Sequence, residues 1–311
     1  MSFLTVCLNP TLQKTLCFPS IVPGTVNRTG IHRLDASGKG INVTRVLSQL
    51  GKKTVHLTQL GGDLQPLFLS LCEQDGLVIE WVESKSQIRF CYTLLTDDNV
   101  TELVEESEKV TAETEQHLLD KFDNLLETPS LSCLIISGTK AAGFSDTVFP
   151  TMVRKAKEKG LKIILDIRGK DLIDSLQYEP DIVKPNLFEF VDTFAADLIK
   201  GNDYSADVET AQKRIKTIAL ELCQKYRCRI ILTNGARKIS VADNENFFEV
   251  DIQPVKTINS IGCGDAFSAG LASALVDGRL ASQVFDFNAA INEGLRCGAL
   301  NAGLVKPGVI R

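Results

Sequence analysis

The sequence predicts an α/β protein built on a mostly parallel sheet with helices on both faces, accompanied by a small second β-sheet. From Thr111 onward, helical patterns near 112–126, 146–159, 187–199 and 206–226 alternate with apolar runs at 131–137, 162–167, 181–184 and 229–233. That is the rhythm of strand–helix–strand units, and apolar strand runs of this kind suit strands buried on both faces. Residues 11–35 behave differently. Short apolar runs broken by turn signals, with no helical period, place them outside the main sheet.

In order, residues 3–8 read as a buried first strand stopped by Asn9-Pro10. Pro19, Pro23-Gly24 and Asn27-Arg28 then divide the chain into short strands. Ser37-Gly38-Lys39-Gly40-Ile41-Asn42-Val43 is a glycine-rich turn opening a helix, because Val43, Val46, Leu47 and Leu50 fall at i, i+3, i+4 and i+7 and Gly51 closes it. Residues 54–58 make a strand and 64–75 a helix after Gly61-Gly62-Asp63. Residues 88–95 and 100–104 alternate like exposed strands around Asp97-Asp98-Asn99. Beyond the alternating region, 237–252 reads as an antiparallel hairpin and 281–302 as a long helix.

At 311 residues the chain can bury a large core, and 44% hydrophobic with 23% charged residues is ordinary for a globular protein. Without repeats, low-complexity tracts or linkers, 1–311 is expected to be one domain. A net charge of −5 offers no broad basic field, so no nucleic-acid partner is expected. No apolar run approaches eighteen residues and no basic region precedes the apolar start, so neither a membrane span nor a signal peptide is expected. The nine cysteines are scattered without Cys-x-x-Cys, which suits reduced thiols of a cytoplasmic protein and predicts no metal site.

The chemistry concentrates in Thr257-Ile258-Asn259-Ser260-Ile261-Gly262-Cys263-Gly264-Asp265-Ala266-Phe267. Two glycines remove Cβ atoms where N–H groups at a helix start lack partners, so an anion can approach. Asp265 would repel that anion unless it serves another purpose, and proton abstraction is one. The same residues also fit a plain turn with a capping aspartate. Phe267 stands where a dinucleotide fingerprint needs glycine, and no Gly-x-x-x-x-Gly-Lys-Ser/Thr occurs. The turn at 37–43 fits a backbone-plus-lysine cradle for a polyhydroxylated or anionic ligand, or a loop with a solvated lysine. Polar residues gather at strand ends: Ser137-Gly138-Thr139, Asp166, Lys184-Pro185-Asn186 and Thr233-Asn234-Gly235. Ligands of open α/β sheets sit there.

An early Gly-Lys-Gly turn and a late Gly-x-Gly-Asp turn on one chain resemble the ribokinase-like sugar kinases, the phosphofructokinase-B family. Leu8-Asn9-Pro10, Pro23-Gly24-x-Val26-Asn27-Arg28, Gly38-Lys39-Gly40-Ile41-Asn42-Val43 and Lys184-Pro185-Asn186-Leu187-x-Glu189 resemble the branch containing 1-phosphofructokinase and tagatose-6-phosphate kinase. The resemblance runs nearly end to end. It implies a ribokinase-like three-layer α/β/α fold with a mostly parallel central sheet and a small β-sheet lid formed discontinuously by about 11–35 and 85–105. It also implies transfer of the γ-phosphoryl group of ATP, with Mg2+, to a hydroxyl of a phosphorylated ketohexose of the fructose 1-phosphate, fructose 6-phosphate or tagatose 6-phosphate class.

By the same resemblance Asp265 is the general base, and the backbone of Gly262, Cys263 and Gly264 is the anion hole. Gly38, Lys39 and Asn42 bind sugar, while Arg28 and Arg89 receive its phosphate. Lys184, Asn186, Thr233, Gly235 and Asn292 belong to the ATP side, and a homodimer through the lid is implied. Gln13 stands where the family carries a sugar-binding aspartate, and it is uncharged. Two alternatives stay open: a kinase of a non-phosphorylated sugar or nucleoside, and a non-catalytic ligand-sensing relative.

Overall fold

The computed structural model describes residues 2–200, 203–204, 208–277 and 286–311. Strand β1 (Ser2–Val6) is followed by β2 (Thr11–Cys17), β3 (His32–Ser37), helix α1 (Lys39–Gln49) and β4 (Lys53–Gly61). Next come α2 (Gln65–Gln74), β5 (Ile79–Ser84), β6 (Arg89–Leu95), β7 (Val100–Val104) and α3 (Ala112–Leu126). The alternating region holds β8 (Leu131–Ser137), α4 (Val148–Glu158), β9 (Lys162–Asp166), α5 (Gly169–Leu176), β10 (Ile182–Val183) and α6 (Leu187–Phe194). A short pair, β11 (Ile199–Lys200) and β12 (Asp203–Tyr204), leads to α7 (Val208–Tyr226). Then follow β13 (Arg229–Leu232), β14 (Ile239–Asp243), β15 (Asn246–Val250), α8 (Cys263–Asp277) and α9 (Phe287–Ala302).

The main sheet runs β15-β14-β13-β10-β9-β8-β1-β4-β5. It is parallel from β13 to β5, and the β14–β15 hairpin extends it antiparallel. The chain builds outward from β1 through β4 and β5, then returns to build through β8 on the other side. The crevice beyond the carboxyl ends of β1 and β8 is therefore a topological switch point, where such sheets take ligands.

Side chains alternate across the pleat and bury both faces. Phe3, Cys133 and Ile135 pack with Val43 and Val46 of α1, Leu271 of α8 and Ile291 of α9. Leu4, Val6, Leu134 and Ile136 pack on the opposite face with Leu118 and Phe122 of α3, Val153 of α4 and Ile215 of α7. The expected three layers follow from this period of two.

The second sheet runs β3-β2-β6-β7, with β2 and β6 parallel. Leu12 and Ala36 seat one of its faces on Ile41 of α1 and on Phe68 and Cys72 of α2. The opposite face carries Thr11, Gln13 and Arg89 over the carboxyl ends of the main sheet. This is the expected lid.

Some elements differ from expectation. The predicted helix 187–199 stops at Phe194, because Ala195 leaves helical geometry (φ −150°, ψ 42°) and a 3-10 turn over Ala196–Leu198 follows. β5 and α5 carry no pattern long enough to be read from the sequence. Residues 206–207 and 281–285 of two predicted helices lie outside the described residues. Among the described residues no helix is long and apolar enough to cross a membrane.

Candidate active site

At the start of α8 the chain reverses at Gly262, whose φ of +85° disfavours other residues. A Cβ there would lie 2.8 Å from Gly308 N and 2.9 Å from Asn301 Oδ1. Buried Asn259 shapes the turn: its Oδ1 accepts from Ile261 N at 2.9 Å and its Nδ2 donates to Val305 O at 2.8 Å. The first helical bond runs from Ala266 N to Gly262 O at 2.8 Å. Among the described residues no hydrogen bond takes the N–H groups of Gly262, Gly264 or Asp265, which leaves them for an anion. Cys263 departs from the expected hole, since its N–H is turned onto Ser260 O at 3.3 Å. Burial also pushes its thiol up to about 12, so it stays a neutral side chain.

Asp265 is 6% exposed, and its Oδ2 accepts from Asn42 Nδ2 at 2.8 Å. Burial, reinforced by the charge of Asp166, pushes the Asp265 carboxyl up to about 6, while Lys39, the Asn42 bond and Lys184 pull it back. A carboxylate in that range is a competent general base near neutrality.

A charge cluster centred on buried Asp166 and Lys184 stands beside it. Asp166, at the end of β9, receives Lys184 Nζ at 3.1 Å and Lys39 Nζ at 3.4 Å, and Lys39 also reaches Glu189 Oε1 at 3.0 Å. Burial opposes the Asp166 charge, but the two lysines prevail and hold its carboxyl below the usual range. Burial likewise opposes the Lys39 ammonium, and Asp166 and Glu189 outweigh it, so its pKa is raised.

Asn186 caps α6. Its Oδ1 accepts from Glu189 N at 2.8 Å while Glu189 Oε2 accepts from Asn186 N at 2.9 Å, a capping box. Sequence reasoning gave no role to Asp166 or Glu189, although Asn186-x-x-Glu189 has the capping-box spacing.

The lid wall opposite is formed by Thr11, Gln13, Arg89 and Glu102. Gln13 Nε2 donates to Thr93 Oγ1 at 2.5 Å. Arg89 Nη1 donates to Glu105 O at 2.9 Å, whereas its Nε is buried without an acceptor. Arg28 is not part of this wall. It is exposed on the 18–31 segment, which closes on itself through Asn27: Nδ2 donates to Val22 O and Oδ1 accepts from Val22 N, at 2.9 and 3.0 Å.

On the far side Ile239, Ile252, Val255, Leu295, Ala299 and Ala302 form an apolar slot beside Thr233 and Gly235. Asn292, expected here, is exposed and lies one turn before Leu295, beyond the rim. One cavity of about 740 Å³ joins wall, charge cluster and slot, with Gly38, Lys39, Asn42, Lys184, Asn186 and the 262–265 turn along it. That volume suits two small ligands side by side.

The model of the pfkB family carbohydrate kinases matches residues 16–304. Among solved structures, phosphofructokinase-2 from Escherichia coli in complex with substrates and products superposes with a TM-score of 0.82 at 20% identity, covering 97% of this chain and 93% of that one. A possible 1-phosphofructokinase from Thermotoga maritima gives 0.81 at 21% identity, covering 97% and 92%. Ribokinase from the same organism gives 0.70 at 18%, covering 98% and 94%. At these identities the structures establish the fold, which is ribokinase-like.

Proposed function

The chain belongs to the pfkB family of carbohydrate kinases, and from that premise we propose that this ATP-dependent sugar kinase phosphorylates a hydroxyl of a phosphorylated ketohexose. Fructose 1-phosphate, fructose 6-phosphate and tagatose 6-phosphate define the class. One observation carries the choice: a single cavity sets buried Asp265 between an apolar slot and a wall where Arg89 keeps an Nε–H without an acceptor. The slot takes adenine. Lys184, Asn186, Thr233 and Gly235 line the way to the phosphates, and Gly38, Lys39, Asn42 and Gln13 face the sugar.

Asp265 takes the proton of the attacking hydroxyl. As that oxygen bonds the γ-phosphorus, the bond from phosphorus to the β–γ bridging oxygen breaks and its electron pair leaves with ADP. The N–H groups of Gly262, Gly264 and Asp265 offset charge on the transferred group, a form of positioning and electrostatic stabilisation that dominates phosphoryl transfer. The lid excludes water and so limits ATP hydrolysis. Among the described residues no three His, Cys, Asp or Glu side chains converge on a metal. Mg2+, which prefers oxygen ligands and keeps several waters, would be held chiefly by the phosphates of ATP, with Glu189 among the cavity carboxylates that could join them, and it would supply charge neutralisation.

The first test is ADP release from Mg-ATP across the three sugar phosphates, free hexoses and nucleosides. Turnover on a sugar phosphate is expected. Arg89→Gln should raise KM for that acceptor about 10–100-fold with kcat little changed, the loss of a hydrogen-bonded charge. A second reading, an acceptor without phosphate, is favoured by Glu102 sharing the Arg89 wall; turnover on a free sugar unaffected by Arg89→Gln would establish it.

The lid also supports a homodimer. Leu103 and Val104 stand 54% and 52% exposed on edge strand β7. Sedimentation equilibrium should give twice the chain mass, falling to one chain in Leu103→Asp. A monomeric wild type sinks the idea. Buried thiols on both faces of the sheet fit a reducing, cytoplasmic compartment.

A further inference from the structure

Arg45 lies outside the reacting cavity, on α1, and is 2% exposed. All three guanidinium nitrogens are engaged: Nε donates to Asp75 Oδ2 at 2.8 Å, Nη1 to Asn42 Oδ1 and Pro307 O at 3.0 Å each, and Nη2 to Ala36 O at 2.6 Å. These partners belong to the end of α2, to α1 itself, to the segment after α9 and to lid strand β3. We propose that Arg45 is a positioning residue that fixes the orientation of the Asn42 amide, and through it the carboxyl of Asp265, while tying both to the lid.

The argument rests on amide polarity. An amide oxygen only accepts and its nitrogen only donates. Asn42 Oδ1 accepts from Arg45 Nη1 and, at 3.3 Å, from Ser37 Oγ, so the amide presents Nδ2 to Asp265. Flipping it would set two acceptors together at Asp265 and two donors together at Arg45. The backbone is held as firmly, because Gly308, at φ +67°, seats the segment against Asn42, where a Cβ would lie 2.6 Å from Asn42 Cα.

The charged groups facing Asp265 are Lys39 of α1, Asp166 ending β9 and Lys184 beyond β10, and the neutral thiols of Cys7 beyond β1 and Cys263 of its own turn are the other titratable groups near it. Arg45 reaches it through Asn42. Holding the donating N–H on the carboxylate favours the ionised base.

The test rests on Asp265 being the base, yet it can be read without turnover. Carboxyl-13C aspartate labelling, with the Asp265 signal identified by its loss in Asp265→Asn, gives the titration midpoint directly. The midpoint should rise by about one pH unit in Arg45→Met, since one hydrogen bond to the charged form is lost. In kinetics, kcat should then fall about fivefold more at pH 6 than at pH 8.5, with KM for ATP little changed. Arg45→Lys keeps a charge for Asp75 but not the fork, so an intermediate midpoint is expected.

Leu118→Ala, in the core on the opposite face of the sheet, should lower the melting temperature without moving the midpoint. A folded Arg45→Met with the wild-type midpoint overturns the proposal. If that variant does not fold, a wild-type midpoint in Arg45→Lys overturns it. Absence of turnover by the wild-type protein on every acceptor would count against the kinase reading alone, because the midpoint comparison still decides the role of Arg45.

Discussion

Asp265→Asn is expected to melt at a higher temperature than wild type at pH 8 and yet barely turn over. Burial raises this carboxyl from 3.8 to about 6, so the folded protein prefers it protonated. Stability from a raised acid is fully present below the unfolded value and is lost as pH rises through the folded one. The neutral amide escapes that loss. At about 1.4 kcal/mol per pH unit, the variant should gain on the order of 2–3 kcal/mol above pH 6, and the gain should fade below pH 4. Turnover should fall about 10²–10⁴-fold, the usual contribution of a placed general base. In wild type, kcat/KM should decline as pH drops through about 6. Turnover within tenfold of wild type would remove Asp265 from the role of base, and earlier melting at pH 8 would show that its burial costs nothing.

The second large effect is expected at Lys184. Its side chain is 3% exposed, and its ammonium lies 3.1 Å from the carboxylate of Asp166, whose side chain is 1% exposed. Truncating one member of a buried pair strands the other, at a cost of roughly 3–5 kcal/mol. Lys39 remains at 3.4 Å, so Lys184→Met should lie near the lower end. That corresponds to a melting temperature lower by on the order of 10 °C. The pH sign is the reverse of the Asp265 case. Asp166 has a depressed acid, whose stabilisation is present above the unfolded value and lost as pH falls through the folded one. The deficit of the variant should therefore shrink in acid. A drop below 2 °C at pH 7, or a deficit that grows at low pH, would contradict this account.

The parts of the site legible in the sequence are those that backbone geometry demands. Gly262 and Gly38 must be glycine because of positive φ and close neighbours, so both turns stood out, and Asp265, Lys39 and Asn42 came with them. Asp166 was visible only as a polar residue ending an apolar run, and Lys184 as that and as part of the Lys184-Pro185-Asn186 motif; their pairing depends on the order β9-β10, which no local pattern states. Asn292 lies off the cavity because α9 runs past it, and the α9 residues that line it are Leu295, Gly298, Ala299 and Ala302. Arg28 missed because the self-contained loop around Asn27 holds it away. Arg45 looked like any polar position on an amphipathic helix. Its four partners come from residues 36, 42, 75 and 307, and sequence periodicity cannot report such long-range convergence.

The segment Val305–Gly308 holds Asn259 through Val305 O, Arg45 through Pro307 O, and lies against both Gly262 and Asn42. Ribosomal synthesis delivers it after every other part of the site. A nascent chain can complete the main sheet and the lid while its glycine turn and its Asn42 amide still lack their braces. The order of synthesis therefore sets the order of bracing: the Gly262 turn and the Asn42 amide gain these contacts only after the sheet and the lid that surround them.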